Sequence, residues 1–198
     1  MRTALLLAAT SLSLFSQAAF AQDSATSLRG VRIEGDIGGD RFQSQGVHND
    51  RLGYGATIGF DGMIGNNIVI GPEGSYWRAN NWTENCTVAP GSASVCHKSF
   101  EEWGVALRAG FLVNSRTLIF GKGGYVSNEQ RKRYTALIPA NSYYDHVNSN
   151  GYQVGGGVEY TVKEGRVPVY ANLQYVFSQY NDHTSRHRLM AGVGIRFK

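Results

Sequence analysis

The sequence predicts an all-β chain folded as an eight-stranded antiparallel up-and-down transmembrane β-barrel, and three observations predict it. From Val31 onward, eight stretches of about ten residues, rich in Tyr, Val, Ile and Gly, alternate with a period of two. The polar spacers between them alternate in length, so that every second connection is a tight turn. Charge is confined to one phase of the alternation, which gives each strand one face fit for lipid and one that is not.

In order, the predicted strands cover 31–40, 52–61, 68–77, 102–111, 117–126, 151–162, 169–178 and 187–197. Spacer 43–51 is moderate, 62–67 short, 78–101 long, 112–116 short, 127–150 long, 163–168 short and 179–186 moderate. Short turns at one rim and longer loops at the other produce this rhythm. No stretch needs a helix.

One phase reads Val31, Ile33, Ile37, then Leu52, Tyr54, Ile58, Phe60, then Trp103, Val105, Leu107, Phe111, and continues to Leu189, Val193, Ile195, Phe197 without an Asp, Glu, Lys or Arg. The opposite phase carries Arg32, Glu34, Asp36, Asp61, Glu73, Glu102, Arg108, Lys122, Glu159, Arg188 and Arg196 among many glycines. A soluble lipocalin-like barrel would turn the apolar phase inward. Eight strands leave a lumen only wide enough for side chains to fill it, and the many aromatics would crowd it. The glycine-rich charged phase fits that lumen better, with its charges paired as a salt-bridge plug and the aromatics at the lipid interface.

Composition agrees. The 198 residues are 42% hydrophobic and 17% charged, below the ~25% charge usual for soluble domains, which argues against disorder. Arg2, the apolar run Ala4 to Phe15 and Ala19-Phe20-Ala21 read as a secretory signal peptide over residues 1–21, leaving a barrel domain over 22–198. Removing Arg2 lowers the formal charge from +4 to +3, and this weak, scattered excess gives no case for nucleic acid. Export places Cys86 and Cys96 in an oxidising compartment, where they can pair as a local staple worth about 3 kcal/mol.

The stretch Trp103-Gly104-Val105-Ala106-Leu107-Arg108-Ala109-Gly110-Phe111, with Gly121-Lys122-Gly123-Gly124-Tyr125 and Gly155-Gly156-Gly157-Val158-Glu159-Tyr160, resembles the small outer-membrane β-barrel family. That family includes porin-family surface antigens of alpha-proteobacteria and is similar in architecture to the OmpA, OmpX and opacity-type barrels. The resemblance runs from Leu28 to Phe197. It implies a Gram-negative outer-membrane location and a C-terminal signal, ending here at Phe197, read by the barrel-assembly machinery. Lys198 after that phenylalanine is a departure from the pattern. Relatives often carry a glutamate where this chain has Gln174, which implies a rearranged interior ion network built from Arg32, Glu34, Asp36, Glu73, Arg108, Lys122, Glu159 and Arg196.

Functionally, these residues are expected to make a structural surface barrel with no catalytic residue, metal or cofactor. Its partners are outer-membrane lipids, lipopolysaccharide and a host or surface ligand. Arg131-Lys132-Arg133-Tyr134, with Tyr143, Tyr144 and His146, forms a basic aromatic cluster on a predicted exposed loop, suited to lipopolysaccharide phosphates. Two other readings compete. A lipid A deacylase-like enzyme would use His183 and Ser185, but it also needs a carboxylate to orient the histidine, and the phase after Ser185 offers none. A narrow porin would need a wider lumen than eight strands give. His183 and His187 have a metal-binding spacing only on a helix, and Gly121-Lys122-Gly123-Gly124 lacks the Ser/Thr of a phosphate loop. Asn81-Trp82-Thr83 matches a glycosylation sequon by chance.

Overall fold

Alternating β-formers and glycines fold into strands β1 (Gly30–Ser44), β2 (Val47–Ile64), β3 (Ile68–Ala79), β4 (Glu84–Val88), β5 (Ser94–Asn114), β6 (Thr117–Thr135), β7 (Tyr143–Lys163), β8 (Val169–Tyr180) and β9 (Ser185–Phe197). This computed structural model describes residues 28–44, 46–79, 84–88, 94–136, 142–181 and 183–197. The expected leader at 1–21, Asn81-Trp82-Thr83, Asp182 and Lys198 lie outside the described residues.

All pairings are antiparallel, and the sheet closes on itself: the order β3-β2-β1-β9-β8-β7-β6-β5 is completed by pairing of β3 with β5 from Ile68 opposite Phe111 to Arg78 opposite Glu101. The two ends of the chain meet in the ring, where Val31 stands opposite Phe197. Eight strands therefore form the up-and-down barrel. The ninth, β4, pairs with β5 above the point where β3 ends, and Cys86 lies directly opposite Cys96 in a disulfide.

The strands differ from expectation in length. β5 and β7 each run 21 residues, and most of the spacers predicted at 78–101 and 127–150 are strand, including Arg131 to Tyr134 on β6. The β1–β2 spacer is likewise almost all ladder, with Ser44 opposite Val47. Only the lipid-embedded part of a strand must alternate apolar with polar, so the sequence signal fades where a strand continues into water.

Burial follows the alternation strand by strand. Ile37, Leu52 and Trp103 on the outer wall are 68%, 71% and 62% exposed, whereas Arg196 and Glu159 inside are 0% exposed. Outward aromatics form two rows. Tyr54, Tyr76, Trp103, Tyr125, Tyr152 and Phe177 mark the long-loop end, and Phe60, Phe111, Tyr160 and Phe197 the short-turn end. Trp103 and Phe111 are eight residues apart on β5, roughly 26 Å of strand. At a tilt near 40° that is about 20 Å along the barrel axis, close to the height of an outer-membrane apolar band.

The lumen is filled in layers. Leu28, Val69, Leu112, Leu118 and Phe120 close the short-turn end. Trp77, Val176 and Met190 pack at mid-height, and Phe42, Val126 and Tyr180 near the long-loop end. Between these apolar layers lie the charges. Glycines make the room: a Cβ at Gly59 would lie 3.0 Å from the Arg32 guanidinium, and one at Gly194 would collide with the Tyr170 ring.

Candidate functional site

Inward charges on neighbouring strands of a narrow barrel must neutralise one another, because a guanidinium or carboxylate buried without a partner costs several kcal/mol. They do so in two clusters. In the lower one Arg32 pairs with Glu73, and its other nitrogens lie 3.6 Å from Glu34 and 3.4 Å from Asp61. Lys122 Nζ reaches Glu73 at 2.8 Å. Arg108 donates to Glu159 at 2.7 Å, and Arg196 to Glu159 at 2.8 Å and to Asp61 at 2.9 Å. Tyr170 Oη donates to Glu34 at 2.9 Å, and Gln174 Nε2 lies 3.1 Å from both Glu34 and Asp36.

Each of the eight expected network residues thus lies in this cluster, which draws a side chain from every ring strand. Its hub is a residue the sequence reading left out of the network, Asp61, which faces Arg32, Arg108 and Arg196 together. The Arg108 guanidinium also sits 3.9 Å over the Phe120 ring, and Arg196 4.5 Å over Tyr170. Gln174 explains its own amide: it stands between two carboxylates, where a glutamate would add a third negative charge.

The upper cluster ties Asp40 to Arg186 at 2.9 Å and to the Trp77 indole at 2.8 Å, and Glu102 to Arg188 at 2.7 Å and to the Tyr180 hydroxyl. Asp40 and Arg186 were missed in the sequence. Both continue the even-numbered phase of their strands, so carrying the period of two to the strand ends finds them. The void between the clusters, lined by Asp36, Thr57, Ser75, Lys122, Gln153 and Arg188, measures about 10 Å³, room for a single water.

The basic cluster on β6 is split by the same alternation. Val126, Asn128 and Gln130 are buried, so Lys132 and Tyr134 continue the inner phase, whereas Arg131 and Arg133 share the outer phase of Tyr125. Arg131 stands between Lys98 on β5 and His146 on β7, with its guanidinium 4.1 Å over the Phe100 ring. Lys98 lies over the same ring at 5.8 Å. Lys132 instead stands opposite His97 and Asp145, and Tyr134 stacks on Tyr143 at 5.3 Å. The four residues expected on one loop therefore divide between two faces of a strand.

At the rim, Arg41 and Asp50 form an exposed bidentate pair at 2.6 and 2.8 Å, and the hydrogen bond from Arg41 holds the Asp50 carboxyl below the usual carboxylate range. His183 sits in the β8–β9 turn with φ of 62°. Ser185 stands opposite Gln43 and Gln179, with no carboxylate among its register partners. Thr184 accepts a hydrogen bond from Gln130 at 3.0 Å. Among the described residues no group of three His, Cys, Asp or Glu side chains is arranged to hold a metal.

The hub gives the first prediction. Asp61→Asn leaves three guanidinium groups short of a charge and is expected to cost about 3–5 kcal/mol in urea unfolding from lipid vesicles. Asp50→Asn at the exposed pair is expected to leave the unfolding midpoint unchanged, since both charges stay hydrated.

Three comparisons bear on this architecture. The structure of Ail, the attachment invasion locus protein of Yersinia pestis, solved in complex with the heparin analogue sucrose octasulfate, superposes with a TM-score of 0.55 at 14% identity, over 85% of this chain and 99% of that one. Neisserial surface protein A superposes with a TM-score of 0.54 at 16% identity, over 85% and 97%. At these identities the likeness is one of fold. No curated protein matches the chain. The family model described as outer membrane protein beta-barrel domain matches residues 7–197. That match spans far more than half of the sequence, and the chain belongs to the family of outer-membrane β-barrel domains.

Proposed function

We propose that this protein is a structural surface barrel of the Gram-negative outer membrane, sealed against ions, that presents a disulfide-stapled strand platform outside the cell. The observation that carries this reading is the lower ion cluster, which joins all eight ring strands across the lumen. Salt bridges at 2.7–2.9 Å between 0–4% exposed side chains support a lumen closed to ions. A porin reading would need an open column through that cluster. An enzymatic reading lacks a carboxylate beside Ser185 in the register of its neighbours. Phe197, 43% exposed and opposite Val31, closes the last strand in the position expected of a signal for the barrel-assembly machinery.

The outer face of the extended β5–β7 sheet supplies the partner reading. Lys98 and Arg131 stand directly opposite each other with Arg133 two positions on, a basic face whose acidic neighbour Glu129 lies 3.1 Å from His146. A bound anion would add to the contacts these side chains already make. Lipopolysaccharide phosphates fit such an anion by charge.

Three measurements test these readings. Purified protein in planar bilayers is expected to give no resolved conductance steps, and lipid A from cells with and without it is expected to have the same mass profile. Discrete steps would establish the porin, and a His183-dependent loss of an acyl chain would establish the enzyme. Replacing Arg131 and Arg133 together by serine is expected to lower co-purifying lipopolysaccharide, whereas Lys132→Ser on the inner phase leaves it unchanged. Equal retention by all variants would remove the cluster from lipid binding.

A further inference from the structure

The disulfide of the platform, Cys86 to Cys96, joins the last strand in the order to an interior one, and its two sulfurs stand in different surroundings. Asn85 on β4 is buried and donates to the carbonyls of Phe42 and Val47 at 3.3 and 3.2 Å, which ties β4 to the β1–β2 hairpin. The pleat therefore turns Cys86 to the outer face, in one row with Cys96 and with Arg133 of β6. Cys96 is only 4% exposed, whereas Cys86 is exposed.

A thiolate displaces one sulfur of a disulfide from the other along the line of the bond, so access decides which sulfur is attacked. Cys86 and Cys96 face each other across two strands, and that line runs across the sheet. An approach to Cys96 comes from the side of β6, where Arg133 Nη2 lies 3.9 Å from Cys96 Sγ. An approach to Cys86 comes over the far side of β4, with which no strand pairs among the described residues. The same guanidinium favours one direction of cleavage. A cation beside Cys96 stabilises that sulfur as a thiolate and makes it the better leaving group. Glu84 and Lys98 stand opposite each other two residues nearer the membrane, which leaves Arg133 as the excess charge next to the bond.

We propose that Cys86 is a thiol-exchange site that takes up a carboxylate-bearing thiol from outside the cell. The incoming thiolate forms a bond to Cys86 Sγ, the bond to Cys96 breaks, and its electron pair leaves on Cys96 Sγ as a thiolate beside Arg133. One disulfide replaces another, so no oxidant or reductant is consumed. The carboxylate of the thiol meets the Arg133 charge on the way in. The product carries the small molecule on β4, which stays in place through its ladder with β5 and through Asn85. The source of the thiol rests on the reading that the platform stands outside the cell, but the exchange itself does not.

The test exposes the folded full protein in neutral detergent to glutathione, to neutral 2-mercaptoethanol or to cationic cysteamine, and traps released thiols with N-ethylmaleimide. Peptide mass spectrometry then locates both groups. Each rate is divided by that of the urea-unfolded chain, which removes the intrinsic reactivity of the thiol. The expected product carries glutathione on Cys86 and maleimide on Cys96, and the relative rate is highest for glutathione and lowest for cysteamine. Arg133→Ser is expected to slow the glutathione reaction about fivefold and to abolish its lead over cysteamine, a ratio that a general loosening of the sheet would not change. Lys132→Ser on the inner phase is expected to leave both rates as they are. Glutathione found on Cys96, equal relative rates for the three thiols, or wild-type rates in Arg133→Ser would each overturn the proposal. So would the absence of any adduct on the folded protein where the unfolded chain exchanges. A heat-dependent gel shift reports folding of every variant. Its absence from the wild-type protein would defeat the barrel reading, a failure separate from that of the exchange site.

Discussion

In a bilayer the backbone has no water to bond with, so every amide and carbonyl must find a partner within the protein, and only a helix or a closed sheet satisfies that demand. This chain meets it by closure. The register that brings Ile68 opposite Phe111 and the one that brings Val31 opposite Phe197 remove both free edges of what would be an open sheet. Once the ring is closed, the pleat gives each strand one residue in and one residue out, and the rest of the molecule follows from which residues occupy each phase.

The inner phase then has a charge problem. Arg32, Arg108, Lys122, Arg186, Arg188 and Arg196 share the lumen with Glu34, Asp36, Asp40, Asp61, Glu73, Glu102 and Glu159. In a space this narrow each must lie against an opposite charge or a hydrogen-bond donor, and Asp61, Glu73, Glu159 and Glu102 each serve two or more cations. Among the described residues Asp36 has no cation within salt-bridge distance, and it is held by Thr57 and Gln174. Gln174 is thus the neutral member that lets neighbouring carboxylates share one wall. Filling the lumen and joining the strands are the same act, since the pairs that occupy the interior link side chains from different strands.

Much of this was legible in the sequence, because the period of two is a local property that survives without knowledge of partners. It placed the eight ring strands, both faces and the charged lumen. Two kinds of feature escaped it. Beyond the upper aromatic row the outer face leaves the hydrocarbon and the inner face is packed with polar residues such as Ser99, Asn128 and Gln130, so β4 and the extensions of β5, β6 and β7 carry no apolar alternation and read as loops. The hub was hidden for a different reason. Which carboxylate meets three arginines depends on the stagger between strands far apart in sequence, and nothing near Asp61 records that it will face Arg108 and Arg196. The division of Arg131 and Arg133 from Lys132 and Tyr134 needed only the knowledge that 131–134 is strand.

The central claim is that the barrel is inside out, and its tryptophans test it directly. Trp77 is 2% exposed in the lumen and Trp103 is 62% exposed on the outer wall. In vesicles containing brominated lipids, variants with Trp82 replaced and a single one of these two tryptophans retained report which ring touches acyl chains. The expected result is strong quenching of Trp103 and little of Trp77. Quenching of Trp77 with Trp103 shielded would exchange the two faces and contradict the account.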